Sequence, residues 1–153
     1  MGAAEASADV NEQPRYTAEF YTGGPLEIEG WDLPVVVDLA GLSQGNVLVA
    51  NLDHDRTQRV GNFAVANDGK TLVANGTALV DAFPAAKEVA VAAKLGYRWQ
   101  ASLEVQPNEV EAIKKGQTAE ANGRTFEGPI YVTRKGTLKG FGFVTHGADD
   151  NTS

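Results

Sequence analysis

The stretch Val60-Gly61-Asn62-Phe63-Ala64-Val65-Ala66-Asn67-Asp68-Gly69-Lys70-Thr71-Leu72-Val73-Ala74-Asn75-Gly76-Thr77-Ala78-Leu79 decides the fold. Two extended apolar runs flank Asn67-Asp68-Gly69-Lys70, and Asp-Gly in that setting is a strong hairpin signal. Upstream, Val47-Leu48-Val49-Ala50-Asn51-Leu52 is too short and too β-branched for a lone helix and reads as a buried strand ending at Asp53-His54-Asp55. Ser43-Gln44-Gly45-Asn46 before it is a turn cluster, Val35-Val36-Val37 a further apolar run, and Leu26-Glu27-Ile28-Glu29 alternates as a half-exposed strand does. Downstream the pattern changes. Phe83 to Leu95 is rich in Ala, carries Pro84 in its first turn and stops at Gly96, which predicts a helix. Tyr97 to Val105 returns to strand chemistry. Pro107 then opens an expected second helix, Asn108 to Lys115, whose acidic-to-basic order suits the helix dipole. Asn122-Gly123 marks another hairpin, and the last strands are expected at residues 128–133 and 137–145. The sum is an α+β, mainly β domain with two inserted helices, compatible with a small barrel.

Residues 1–16 are small and polar without hydrophobic period and read as a flexible tail, leaving 17–153 as the domain. Apolar residues make up 42% and charged residues 22%, enough to bury a core without a metal or disulfide staple. Cysteine is absent, which removes thiol nucleophiles and thiolate zinc sites and fits a cytoplasmic location. With 13 basic against 20 acidic residues the net charge is -7, which disfavours nucleic acid as a partner. No apolar run is long enough for a membrane-spanning helix, and no basic-then-apolar secretory signal opens the chain, so no membrane partner is expected. No cofactor is expected either: phosphate-binding loops, dinucleotide fingerprints and metal motifs are missing.

The chemistry rests on three residues. His54, between Asp53 and Asp55 at a strand end, suits a general base, because a neighbouring carboxylate favours the imidazolium; the plain alternative is a loop histidine in an acidic turn. Ser102 lies in Trp99-Gln100-Ala101-Ser102-Leu103-Glu104, where the strand period sets Gln100, Ser102 and Glu104 on one face. It is an ordinary strand serine unless a base takes its proton. His146, where the last strand meets a turn, is either a third member orienting His54 or a surface histidine.

Together these segments carry a resemblance. Leu52-Asp53-His54-Asp55 is followed by Val60-Gly61, the Asp-Gly hairpin, an Ala-rich helix ending in Leu95-Gly96, and Trp99-Gln100-Ala101-Ser102. Asn122-Gly123-Arg124, Gly128-Pro129 and Phe143-Val144-Thr145-His146-Gly147-Ala148-Asp149 complete the order. In this order the chain, from about Phe20 to Thr152, resembles the prohead (capsid-maturation) serine proteases of tailed phages and prophages, related in fold to the herpesvirus assemblins.

The resemblance implies an assemblin-like β-barrel with two or more surrounding helices, Ser102 as nucleophile and His54 as base. It implies backbone oxyanion donors in the Gly147-Ala148-Asp149 turn, at Ala148 and Asp149. Scaffold protein and major capsid protein are the implied substrates, inside the assembling prohead in the host cytoplasm, with self-cleavage and a homodimer as further expectations. One position departs from the pattern. Relatives carry an acid or a histidine about seven residues before the Gly of this turn, where this chain has Gly140, and Gly142 follows. Three options stay open: a Ser-His dyad, with the third role filled by water or a residue elsewhere; His146 brought in by a rearrangement; or an impaired site. A capsid-assembly module that keeps the fold without catalysis is the alternative function.

Overall fold

A computed structural model describes residues 12–149 and 151–153. Its strands are β1 (Arg15–Tyr21), β2 (Val35–Val37), β3 (Leu42–Leu52), β4 (Asp55–Asn67), β5 (Leu72–Thr77), β6 (Gln100–Ile113), β7 (Thr118–Ala121), β8 (Arg124–Glu127) and β9 (Ile130–Val144). Among the described residues there is one α-helix, α1 (Pro84–Lys94), and a 3-10 turn at Leu39–Gly41. The fold is α+β and mainly β, as expected, but the second helix is not there. No helix among the described residues is long and apolar enough to cross a membrane.

Strand β9 is the spine. β2 and then β3 pair with it in parallel along one edge, while β6 runs antiparallel along the other from Gln100↔Val144 to Ile113↔Ile130. β3, β4, β5 and β1 continue the sheet by antiparallel steps, and the seven strands curl into a half-barrel. The Asp-Gly hairpin joins β4 to β5 as expected, with Asn67 opposite Leu72. Asn122-Gly123 turns β7 into β8.

Inside the curl the apolar faces meet in an aromatic cluster. Phe141 stacks on Phe20 at 5.1 Å between centroids and meets Phe63 and Phe143 edge-on at 4.9 and 5.0 Å. Such pairs add to what burial alone supplies. α1 covers this core with Ala85, Ala86 and Val89 and leaves Val91 and Leu95 exposed. A smaller core of Val36, Ile113, Phe126, Ile130 and Val132 lies with the β7–β8 hairpin.

Several local expectations are corrected. Asn108 to Lys115 is not helical: residues through Ile113 continue β6, laddered to β9 as far as Ile113↔Ile130, and acids of β6 meet bases of β9 across that ladder. Glu109 lies opposite Lys135 with their side chains 3.5 Å apart, and Arg134 Nε donates to Glu111 at 2.9 Å. Pairing of this kind overrides a short segment's helix propensity. Ser43–Asn46 lies within β3, where it interrupts the pairing with β9 between Gln44 and Val49. Leu26–Glu29 makes only a single bridge, Leu26↔Val35. The two expected final strands are one 15-residue strand, β9. Of the expected tail, residues 1–11 lie outside the described residues, while Arg15 and Tyr16 already belong to β1.

Candidate active site

The β3–β4 turn is built from two residues, Asp53 and His54, between the paired Leu52 and Asp55. Both have φ of 58°. Two consecutive left-handed residues make the kind of tight turn whose twist matches the flanking strands, and Asp and His tolerate that region better than most side chains. The Asp53 N–H donates to the Phe143 carbonyl at 2.9 Å, so the turn is pinned down onto β9.

This turn sets the imidazole of His54 over Gly142. A Cβ at position 142 would come within 3.0 Å of both the backbone N and the Nδ1 of His54, and within 2.9 Å of Asn51 Oδ1. Glycine is therefore what lets the histidine lie against β9. Across the β6–β9 ladder, the residue paired with Gly142 is Ser102. Paired Cα atoms in an antiparallel ladder stand about 4.5–5.5 Å apart. Nucleophile candidate and base candidate are thus neighbours through one glycine, although 48 positions separate them in sequence.

The Nδ1 of His54 has a partner the sequence reading did not assign to it. It lies 2.6 Å from Oε2 of Glu104, which also accepts from Asn51 Nδ2 at 2.8 Å. Glu104 is two residues beyond Ser102 on the same face of β6 and pairs with Gly140. A Cβ at 140 would come within 2.3 Å of the Val49 carbonyl oxygen, so a side chain there would disturb the backbone of β3. Burial pushes the Glu104 carboxyl up, but the hydrogen bonds from His54 and Asn51 and the positive charge of Arg56 outweigh it and hold the group below its ordinary range. An ionised carboxylate only accepts, so Nδ1 carries the hydrogen, and in the neutral imidazole Nε2 is then the nitrogen with the lone pair. A carboxylate holding Nδ1 while Nε2 is left to act as base is the arrangement of a serine hydrolase triad.

The group at Nδ1 of His54 is Glu104, on β6, where a third member would stand. His146 is exposed, lines the same cleft and does not hold the base. The cleft has a volume of about 840 Å³, and His54, Ser102, Glu104 and Ala148 all contribute to its wall. The Gly147 N–H is committed to the Gln100 side-chain oxygen. The Ala148 carbonyl accepts from the Glu27 N–H at 3.3 Å. Asp149 is buried away from the cleft. Its carboxylate accepts from the Thr22 N–H at 2.7 Å and the Thr22 hydroxyl at 2.6 Å, so it fastens the turn to the end of β1. Of the two backbone positions expected as oxyanion donors, Ala148 lies on the cleft wall and Asp149 does not.

Strand period already sets Glu104 on the Ser102 face of β6. Its contact with His54 depends on β3 lying alongside β9, which no local pattern encodes.

Comparison of the chain with protein-family models, with curated proteins and with solved structures finds no significant match.

Proposed function

We propose that this chain is a serine endopeptidase of the prohead-maturation type, with Ser102 as nucleophile, His54 as general base and Glu104 as the group that orients and charges the base. The observation that carries the reading is the convergence of these three side chains on one cleft wall, with His54 Nδ1 2.6 Å from the Glu104 carboxylate. Ser102 Oγ attacks the scissile carbonyl carbon while His54 Nε2 takes its proton. The imidazolium so formed stands against the Glu104 carboxylate, and the Ala148 N–H, the one position of the turn on the cleft wall other than the committed Gly147, is the donor to the oxyanion. Collapse expels the amine, which leaves with the proton from Nε2. Water, deprotonated by the same nitrogen, releases the acyl group.

Scaffold and capsid proteins as substrates, an assemblin-like barrel and a setting inside the prohead in the host cytoplasm follow from the resemblance of the ordered segments. The alternative, a capsid-assembly module without catalysis, drew its force from the glycines at 140 and 142. Both glycines also have a packing reason: a Cβ at 142 would press on His54 and Asn51, and one at 140 on the Val49 carbonyl oxygen.

A fluorophosphonate probe tests the reading, since it labels only an activated hydroxyl. Labelling is expected at Ser102 and is lost in Ser102→Ala and His54→Ala. A folded wild-type chain that takes up no label would refute it.

A further inference from the structure

Asn51 is the polar member of the apolar run Val47-Leu48-Val49-Ala50-Asn51-Leu52 in β3, and it is buried, 4% exposed. Its amide is half used. Nδ2 donates to Glu104 Oε2 at 2.8 Å, while Oδ1 is buried and, among the described residues, accepts no hydrogen bond. Chemistry fixes this orientation, because a carbonyl oxygen turned toward the Glu104 carboxylate would set two acceptors against each other. A buried acceptor without a partner costs stability, and an apolar side chain at 51 would carry no such cost. Packing alone therefore does not call for asparagine here.

The register shows what the amide reaches. Asn51, Gly142 and Ser102 form one row across β3, β9 and β6, and Glu104 stands opposite Gly140, two residues along. Positions in one row, and in rows two residues apart, share a face of the sheet. The β9 positions between Asn51 and Glu104 are both glycine, so the amide crosses the middle strand unobstructed; a Cβ at 142 would stand 2.9 Å from Asn51 Oδ1. Nδ2 ends on Oε2, the same oxygen that lies 2.6 Å from His54 Nδ1. One donor from β3 and one from the β3–β4 turn thus hold a single carboxylate oxygen.

We propose that Asn51 is a positioning residue of the site, a fourth member that acts through Glu104 by holding Oε2 against His54 Nδ1. This rests on the protease reading above. The Glu104 side chain is long and partly exposed, so without a second donor its carboxylate is free to turn toward solvent. Asn51 removes that freedom and takes a share of the hydrogen bonding of Oε2 without adding a charge. The charged and titratable groups around the pair are Asp53 and Asp55 on the turn, Arg56 on β4, and Glu27, Glu29, Lys139 and His146 along the cleft. Replacing Asn51 by an apolar residue changes none of them.

The test is the second-order rate of fluorophosphonate labelling at Ser102, followed against pH. It is run on the full chain and on Asn51→Ala, Asn51→Leu, Glu104→Ala and the double variant Asn51→Ala with Glu104→Ala, each checked for folding by circular dichroism. Both Asn51 variants are expected to label about five-fold or more slower at their plateau. The acid limb of their profiles moves to higher pH by about 0.3 unit or more, since Oε2 then bonds the imidazolium alone. A role confined to packing would leave that limb in place. The double variant labels within about two-fold of Glu104→Ala, because Asn51 has nothing left to act on. Asn51 variants that label like wild type, an unmoved acid limb, losses that multiply in the double variant, or loss of fold in both Asn51 variants each overturn the inference and leave the protease reading standing. If the folded wild-type chain does not label at Ser102, the protease reading fails and the inference falls with it.

Discussion

Gly142 is the floor on which His54 lies: a Cβ at 142 would meet His54 Nδ1 and backbone N at 3.0 Å. The same glycine is the ladder partner of Ser102, so the imidazole lies on the residue that Ser102 faces across the ladder.

Gly142→Ala is therefore expected to lift the imidazole and cut kcat by at least ten-fold, with KM nearly unchanged. Displacements of about an ångström in a catalytic group cost on the order of 10²-fold. Gly140→Ala drives a Cβ against the Val49 carbonyl oxygen at 2.3 Å, and its main effect is on stability. Thermal melts and peptidase kinetics on both variants check the contrast. A Gly142→Ala enzyme with wild-type kcat would remove Gly142 from the argument.

Glu104→Gln keeps the shape of the orienting group and removes its charge. The imidazolium then loses its counter-charge and the tautomer is no longer enforced. In serine hydrolases the corresponding change costs about 10⁴ in kcat, and a loss between about 10² and 10⁴ is expected here. His146→Ala should lose less than ten-fold, because His146 does not hold the base. Steady-state kinetics on the two variants decide the matter: equal losses would mean that His146 shares the orienting role.

The hydrogen bonds to Glu104 also make the fold sensitive to acid. Its carboxyl lies below the reference value of 4.5, first against burial, which raises it, and then through the hydrogen bonds from His54 and Asn51. A lowered folded-state pKa means that the unfolded chain binds the proton more readily. The stability this contributes is present above about pH 4.5 and is lost as pH falls through the depressed folded-state value. Asp55, bonded by Thr57 and Gln58, and Asp68, bonded by the Thr71 and Lys70 N–H groups, act in the same direction. The melting temperature should drop between pH 5 and 3, and less steeply in Glu104→Gln. Parallel curves would show that Glu104 contributes nothing to acid sensitivity.

How far the sequence could be read follows from which interactions are local. The β4–β5 hairpin and α1 were legible because Asp68-Gly69 and Pro84 act within a few residues of themselves. β6 beyond Pro107 was not. Its Glu and Ala residues favour a helix in isolation, and it is the ladder with β9, more than fifteen positions away, that makes a strand of it. His54 and Ser102 could be singled out by type and setting, but their adjacency is a property of the β6–β9 register. Glu104 stood in view on the Ser102 face. Its role appears only when β3 brings Asn51 and His54 alongside.

Asn122 shows the same limit in a stability prediction. From the sequence it is one half of an Asn-Gly turn. In the structure it is a buried anchor with φ of 57°. Its Oδ1 accepts from the Leu39 N–H at 2.8 Å, while Nδ2 donates to the Val37 carbonyl at 2.8 Å and the Gly23 carbonyl at 3.0 Å. The β7–β8 hairpin is thereby tied to the end of β2 and to the turn after β1. Asn122→Ala strands the buried Leu39 N–H, at about 1–3 kcal/mol, and adds about 1 kcal/mol or more for a left-handed alanine. Asn122→Gly loses the same hydrogen bonds but tolerates the backbone, so it should be less destabilised than the alanine variant by about 1 kcal/mol. In a domain of this size each kcal/mol moves Tm by roughly 2–4 °C. The expected order of melting temperatures is wild type, then Asn122→Gly, then Asn122→Ala, with the alanine variant lower than wild type by about 4–16 °C. Asn122 does not line the cleft, so Ser102 labelling at 25 °C should survive in both variants. If the glycine variant melted no higher than the alanine one, the positive φ would carry no cost and the hydrogen bonds alone would account for the anchor.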